Sequence, residues 1–475
     1  MSNQSNVAIP LTNKSRKLVI AACCLLMLFI ASSGASIAVL MTPILGRIDA
    51  LNHFGLVVIL GTIGVAVMTP IGGKLGEIFG FKNLILISGC ISIISLLALG
   101  FVKSITLFAA FRLILSISQG AFTAAPYILV SLVDERKNVP KYMGFLASSV
   151  ALGTFVGPVV SGLLEDRGLY TISVSFSFIF LLVALLIIAR HLPNVALNKD
   201  AAIDKKGVVM LSIVITAFVL TLNYAPTLGW AHHYILLGVA IFIISLLTFI
   251  KVEKNYENLG GAPIIPMRLF ANKEFVTLLF IAITCYYYQS PMLAYGSLAG
   301  FKVLGQSATM VGLLPVPRTL VTLLLPSFIG IWLGKSSLNR WKAMAAATLI
   351  VGIVFLPLIN INPNLPIWVL FVSFGLTGIA ESFRSVSVTP SVQESLDPAD
   401  IAAGTALATF AGSLTSLLSS TVSAFVINAY PDNVALGLSR VFQIVVVVSF
   451  VGFLLVSLVI RPIHKARFEE QNKES

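Results

Sequence analysis

Three arginines and one glutamate stand inside stretches of this chain that are otherwise apolar: Arg112, Arg318, Arg384 and Glu381. A charge in such a stretch costs about 2.5–3.5 kcal/mol on membrane-insertion scales, so each is read first as a working group. Arg112 lines up with Ser116, Gln119 and Thr123 at i, i+4, i+7 and i+11. That spacing gives one polar helical face, able to line a cavity that holds a substrate. Arg318 sits in Leu314-Pro315-Val316-Pro317-Arg318-Thr319, roughly ten residues and so about 15 Å below the nearer end of its stretch. The two prolines leave carbonyls unpaired beside it, as expected near a binding site. Glu381 and Arg384 share a face with Ser373 and Thr377 and, three residues apart, can pair with each other. A desolvated carboxyl at Glu381 could load and release a proton, an exchange that Arg384 opposes. Tyr286-Tyr287-Tyr288-Gln289 falls in the middle of another stretch. Successive residues turn about 100° apart, so one or two of these tyrosines, with Tyr287 and Gln289 as candidates, can offer rings and polar groups to an amphiphile. Each of these groups also has a structural reading, as a salt bridge, a carbonyl partner or a packed ring.

The elements that position these residues are membrane spans. The 475 residues are 57% hydrophobic and 11% charged, whereas soluble domains carry roughly 25% charged residues. Fourteen apolar segments are each sufficient to cross the hydrocarbon core: about 18–41, 54–72, 83–102, 105–131, 141–163, 170–189, 207–224, 234–250, 276–298, 308–333, 343–359, 366–392, 401–428 and 441–460. The first is too long for a signal-peptide core and lacks a small-residue cleavage site, so it belongs with the spans.

An even number of spans puts both termini on one side, and the basic residues indicate which. With the N-terminus cytosolic, 23 of the 31 Lys and Arg fall in inner segments and five in outer loops. That asymmetry predicts both termini in the cytosol of a multi-pass protein of the cytoplasmic (inner) cell membrane. The net charge of +12 is spread over many short loops, a distribution that suits an anionic lipid leaflet and gives no footprint for nucleic acid. The four cysteines sit inside spans without metal-ligand or disulfide spacing, and no metal or cofactor is expected. Gly330 to Ser336 mimics a phosphate-binding loop, but Ile329 replaces its first glycine, so ATP-driven transport is not expected. No catalytic cluster supports an enzyme.

Two polar linkers, 191–206 and 251–274, flank the seventh and eighth spans and leave six spans on either side. This predicts an N-terminal six-helix bundle at 1–193, a linker and two-helix insert at 194–252, and a C-terminal six-helix bundle at 253–475. Six plus six suggests two bundles rocking around a midplane site.

Four local motifs carry a resemblance. Gly73-Lys74-Leu75-Gly76-Glu77-Ile78-Phe79-Gly80-Phe81-Lys82 resembles the loop G-x-L-x-D-R-x-G-R-K of the major facilitator superfamily, with Glu77 at the Asp position. Arg112, Gln119 and Gly120 match its R-x-x-x-x-x-x-Q-G pattern. Gly153, Gly157, Pro158 and Gly162 resemble the G-x-x-x-G-P-x-x-x-G run on the fifth helix of drug-exporting antiporters. The glycines would leave a strip where another helix can approach closely. Pro263 to Phe275 is similar to the loop before the ninth span of the fourteen-span drug/proton antiporter (multidrug efflux) family. The resemblance implies an all-α membrane protein of the major facilitator fold, with fourteen transmembrane helices arranged 6 + 2 + 6. It implies gating or conformational roles for Gly73, Glu77, Gly80, Lys82, Gly153, Gly157, Pro158 and Gly162.

The chain departs from that pattern in two places. Ile78 and Phe81 replace arginines of the loop motif. In the first span, Gly34 and Val39 stand where many relatives resembling L-D-x-x-I-V-N-V-A-L-P have an acid and an Asn. The expected activity is secondary export of small amphiphilic molecules, anionic or neutral, in exchange for protons. Arg112, Gln119, Tyr287, Gln289 and Arg318 are expected to line the substrate cavity, with Glu381 and Arg384 in coupling. The missing first-span acid favours an alternative, uptake or uncoupled facilitation of an organic anion. A third class is a non-transporting sensor or assembly protein. A periplasmic adaptor protein is left open as a partner.

Overall fold

The computed structural model describes residues 9, 11–50, 54–135, 138–196, 204–259, 261, 263–306, 308–336 and 338–474. Part of the first linker, 197–203, lies outside them, as do Arg136 and Lys137 of the basic pattern. Every regular element among the described residues is helical. The chain packs as two units: Met1–Thr221 with Leu237–Met267 and Asp397–Phe410, and Leu222–Leu236 with Arg268–Leu396 and Ala411–Ser475.

The first unit is built from α1 (Asn13–Arg47), α2 (Phe54–Phe79), α3 (Phe81–Leu99), α4 (Ile105–Thr123), α5 (Ala125–Val133), α6 (Val139–Asp166), α7 (Tyr170–Ser175) and α8 (Phe178–His191). Side-chain caps mark two of the helix starts. Thr12 accepts the Ser15 N–H before α1, and Ser104 accepts the Leu107 N–H before α4. Such caps satisfy donors that the first helical turn leaves open. Between α2 and α3, Gly80 turns the chain at φ 83°, a conformation that a β-carbon disfavours. Helix α1 packs on α6 and α8, and α4 packs on α2 and α3. The insert helices α9 (Lys205–Leu228) and α10 (His233–Asn258) follow, and their connecting residues Leu222–Leu236 belong to the second unit.

The second unit contains α11 (Lys273–Tyr286), α12 (Gly296–Lys302), α13 (Ala308–Leu313), α14 (Val316–Leu333), α15 (Leu338–Phe355) and α16 (Ile367–Glu394). Helix α17 (Ile401–Asn428) is shared between the units, and α18 (Val434–Leu455) and α19 (Arg461–Glu474) close the chain. Helix α16 packs on α14 and α15, and α18 packs on α15 and α11. Asn272 caps α11 by accepting the N–H groups of Glu274 and Phe275.

Thirteen helical segments among the described residues are long and apolar enough to cross a membrane. The expected sixth span differs, because 170–189 is divided at Phe176 and Ser177 into α7 and α8, of 6 and 14 residues. Two further spans are interrupted where proline removes a backbone donor. Between α11 and α12 lies a π-turn, Pro291–Tyr295. Between α13 and α14 come Leu314 and Pro315, and Arg318 occupies the first turn of α14.

Candidate functional site

Two polar clusters lie within the spans, one in each unit. In the first unit, α4 carries Arg112, Ser116 and Gln119 on the face predicted from their spacing. Ser116 Oγ donates to the carbonyl of Leu60 on α2 at 3.1 Å. Gln119 is buried, and its Nε2 donates to Ser33 Oγ on α1 at 2.8 Å. The Arg112 guanidinium lies over Gly61 of α2: a β-carbon there would stand 2.8 Å from Arg112 Cζ. Arg112 Nε is buried and accepted by no partner. Next to Ser33, Gly34 is exposed, with nothing within 4 Å of the place a β-carbon would take.

The glycine run of α6 meets the same stretch of α1. A β-carbon at Gly153 would lie 2.6 Å from the Leu28 carbonyl oxygen and 2.8 Å from the Ala31 β-carbon. One at Gly157 would lie 3.0 Å from Ser32 Cα. These two glycines therefore let the α1 and α6 backbones approach closely, with Pro158 accommodated inside α6. Gly162, the last of the run, faces open space.

The loop motif also lies in the first unit. Lys74 Nζ donates to Glu77 Oε2 at 2.9 Å, and both residues are buried. Gly73 faces α17, where an added β-carbon would stand 2.8 Å from the Ala406 β-carbon. Glu77 lies near Asp400 and the Ala403 N–H, at the N-terminus of α17, an end that favours negative charge. Lys82 is half-buried.

In the second unit, the segment just after α11, with α14 and α16, brings its polar residues to one point. Arg384 Nε donates to Glu381 Oε2 at 3.1 Å, and its Nη2 meets Glu381 Oε1. Three more donors face the same Oε2: the Tyr288 hydroxyl at 2.9 Å, Gln289 Nε2 at 3.2 Å and Arg318 Nη2 at 3.7 Å. Arg318 Nη1 donates to the Tyr288 hydroxyl at 3.0 Å and to Thr377 Oγ1 at 3.3 Å. Arg384 Cζ stands 3.8 Å from the centre of the Tyr286 ring, a cation–π contact. Glycine allows this density: a β-carbon at Gly378 would lie 2.9 Å from the Arg318 carbonyl oxygen.

Arg318, Gln289, Glu381 and Arg384 thus converge, as do Gln119 and the residues around Arg112. Tyr287 does not join its neighbours. It is buried in the apolar core with Met292, Phe374 and Phe442, while Tyr288 carries the polar contacts. The sequence expectation named Tyr287 for the cavity, whereas the contacts to Glu381 and Arg318 are made by Tyr288. The cluster holds two guanidinium groups against one carboxylate, so one positive charge is in excess. It can orient a carboxylate, sulfonate or phosphate through charge-assisted hydrogen bonds.

Outside the spans, Asp134 ties the end of α5 to α1 and α6. It accepts from the Tyr142 hydroxyl at 2.6 Å, from Asn138 and the Glu135 N–H, and from Arg16 at 3.2 Å. Burial pushes its carboxyl up, but these donors outweigh it and hold the group below the usual carboxylate range.

Residues 21–363 match the family model described as Major Facilitator Superfamily. An uncharacterised MFS-type transporter of Mycobacterium tuberculosis is 24% identical over 357 residues, 73% of this chain and 50% of that protein. Multidrug resistance protein 3 of Bacillus subtilis is 22% identical, over 81% of this chain and 74% of that protein. The chain spans about half the length of the first of these curated relatives. The crystal structure of the human organic anion transporter MFSD10 (TETRAN) superposes with a TM-score of 0.66 at 16% identity, over 93% of this chain and 99% of that one. That likeness is one of fold alone.

Proposed function

Because the chain belongs to the major facilitator superfamily, a family of transporters and not of enzymes, we propose that it exports small amphiphilic molecules by secondary active transport coupled to protons. Organic anions and neutral amphiphiles are favoured over cations. One observation carries this reading: the buried cluster on α11, α14 and α16 has a cation in excess, with Arg318 held less closely than Arg384. An anionic group would compete with Glu381 for Arg318, and Glu381 protonation would free Arg318 to receive it. Glu381 is accordingly the candidate proton carrier. The aromatic and apolar walls suit the remainder of an amphiphile.

The rest of the reading follows the sequence. Helices α7 and α8 together form the sixth of fourteen crossings, both termini lie in the cytosol, and the protein resides in the inner cell membrane among anionic lipids. Residues 1–193 and 253–475 act as the moving bundles, with 194–252 as linker and insert. The drug/proton antiporter branch is the family branch that the four motifs favour. Gly73, Glu77, Gly80 and Lys82 act at the inner gate, and Gly153, Gly157 and Pro158 in the seam, which Gly162 does not join.

A second reading, an uncoupled facilitator of organic anions, is favoured by Gly34 in place of an acid and by the donors that surround Glu381. Flux of matched anionic and neutral dyes in reconstituted vesicles, with an imposed pH gradient and with an uncoupler, separates the two. Coupled export predicts accumulation that collapses with the uncoupler, whereas the facilitator only equilibrates. Arg318→Ala is expected to weaken anion transport by about 10-fold or more, the worth of a charged hydrogen bond, and to change neutral flux little. Equal loss for both dyes would assign Arg318 a structural role.

A further inference from the structure

At the foot of the insert, two carboxyl groups meet within the first unit. Asp204 caps α9: its Oδ1 accepts the Gly207 N–H at 2.8 Å. Glu253, near the end of α10, has 0% exposure. Its Oε2 accepts the Ile265 N–H at 3.1 Å, and the Ile264 N–H lies beside the same carboxyl. The remaining oxygens, Asp204 Oδ2 and Glu253 Oε1, are both buried and neither receives a hydrogen bond among the described residues. Both point at Gly207, where a β-carbon would touch Glu253 Oε1 and stand 2.6 Å from Asp204 Oδ2. Glycine at 207 therefore leaves the two oxygens room to converge.

Among the described residues, no cation is paired with either carboxyl group. Glu257, one turn further along α10, adds negative potential, and its Oε2 accepts the Met267 N–H at 3.0 Å. Lys205 and Lys206 on α9, and Lys251 and Lys254 on α10, are exposed, and among the described residues neither Asp204 nor Glu253 makes an ion pair. Two ionised carboxylates sharing one dry site repel strongly, and each would keep an unsatisfied lone pair. A single hydrogen removes both problems.

We infer that Asp204 and Glu253 share one proton, carried on Glu253 Oε1 and donated to Asp204 Oδ2. The assignment follows from the other two oxygens. Asp204 sits at the positive end of α9, where a negative cap is favoured. A neutral Glu253 uses its carbonyl oxygen for the Ile265 N–H and its hydroxyl for Asp204, filling each role once. No group of three or more His, Cys, Asp or Glu able to hold a metal ion occurs among the described residues, so a proton fits the pair better than a metal does. The shared proton fastens the start of α9, the end of α10 and the connector at 264–265. Releasing it sets two charges against each other, so this junction loosens as pH rises. The site is independent of Glu381 and of the proposed substrate.

The test uses the full-length protein, purified in detergent, and infrared spectroscopy of protonated carboxyl groups. The wild type should show a carboxylic C=O band at neutral pH that Glu253→Gln lacks. The Gln amide can donate to Asp204 and its oxygen accept from Ile265, so the variant keeps the geometry. Asp204→Asn is the second variant: its amide can donate to an ionised Glu253, and the same band should vanish. The wild-type thermal midpoint should fall as pH rises from the ordinary carboxyl range to the point where the folded pair gives up its proton, and level off above it. Across that window the folded chain holds a proton that the unfolded chain has already released. In Glu253→Gln that fall should be reduced. A band unchanged in both variants, or a fall with pH unchanged in both, overturns the inference. So would sodium-dependent stabilisation of the wild type that Glu253→Gln abolishes, since a metal cation would then occupy the pair.

Discussion

Arg112 and Arg318 are both arginines in apolar helices, yet the two units treat them in opposite ways. In the first unit the guanidinium of Arg112 rests on Gly61, and no acid from α1, α2 or α4 is paired with it among the described residues. In the second, Glu381 gathers Arg318 and Arg384 together with Tyr288 and Gln289. Close packing accompanies both arrangements, so glycine placement alone does not distinguish them. The difference is the carboxylate. One acid converts two costly cations into a hydrogen-bonded network whose members depend on one another. A cation without an acid imposes no such mutual dependence, and its neighbours are held by packing and by neutral hydrogen bonds.

The largest expected effect breaks the second cluster. Glu381→Ala leaves two guanidinium groups without their carboxylate, and removing one partner of a buried pair costs about 3–5 kcal/mol. Arg112→Ala removes a cation that has no acid partner and should leave stability near wild type or above it. Thermal unfolding of both variants in detergent compares them directly. A larger drop for Arg112→Ala would mean that the first unit relies on its arginine more than its contacts indicate.

Next in size is Gly157→Leu. The glycine seam of α6 holds the α1 segment that presents Ser33 to Gln119, and a β-carbon at 157 already meets Ser32. Overpacking of this kind costs about 1–3 kcal/mol. Transport should be lost while membrane insertion persists, as measured by flux and by surface yield. Gly162→Leu should be tolerated because nothing lies within 4 Å of that position. The pair of variants tests whether packing or the motif itself matters.

A smaller effect calibrates the comparison with an ion pair outside the membrane. Asp134 is held below its ordinary titration range by its donors, so its contribution is present above that range. It is lost as pH falls through the depressed folded value. Asp134→Asn should therefore lower stability modestly on the neutral side and flatten the fall on the acid side of the profile. An unchanged acid limb would show that Arg16 and Tyr142 contribute little through this carboxylate.

How far the sequence could be read follows the same physics. Helical spacing put Arg112, Ser116 and Gln119 on one face, and Glu381 beside Arg384, because both relations lie within one helix. It did not place Arg318 on Glu381 or choose Tyr288 over Tyr287. Those contacts join α11, α14 and α16, and the prolines at 291, 315 and 317 change the helical phase by amounts that a 3.6-residue period does not anticipate. The divided sixth span is a second case. Hydropathy reads 170–189 as continuous, whereas the backbone breaks at Phe176 and Ser177. The pairing of Asp204 with Glu253 was invisible for a third reason: nothing in the local pattern brings residues 49 positions apart together.

The smallest expected change in stability comes from giving the first unit the acid it lacks. Gly34 is exposed and has nothing within 4 Å of a β-carbon, so Gly34→Asp meets no steric obstacle. Its neighbour Ser33 already contacts Gln119, which places a new carboxylate beside a polar group on α4. If an acid is what separates the behaviour of the two units, this substitution should make transport depend on pH in a way that the wild type does not, with the thermal midpoint little changed. Flux measured across a range of pH, with and without a membrane potential, reads the effect directly. A second substitution, Arg112→Ala in the Gly34→Asp background, shows whether the new acid acts through that arginine. Additive effects would mean that it does not. An unchanged pH profile in a folded Gly34→Asp protein would place the proton pathway away from the first helix and leave Glu381 as the acid to pursue.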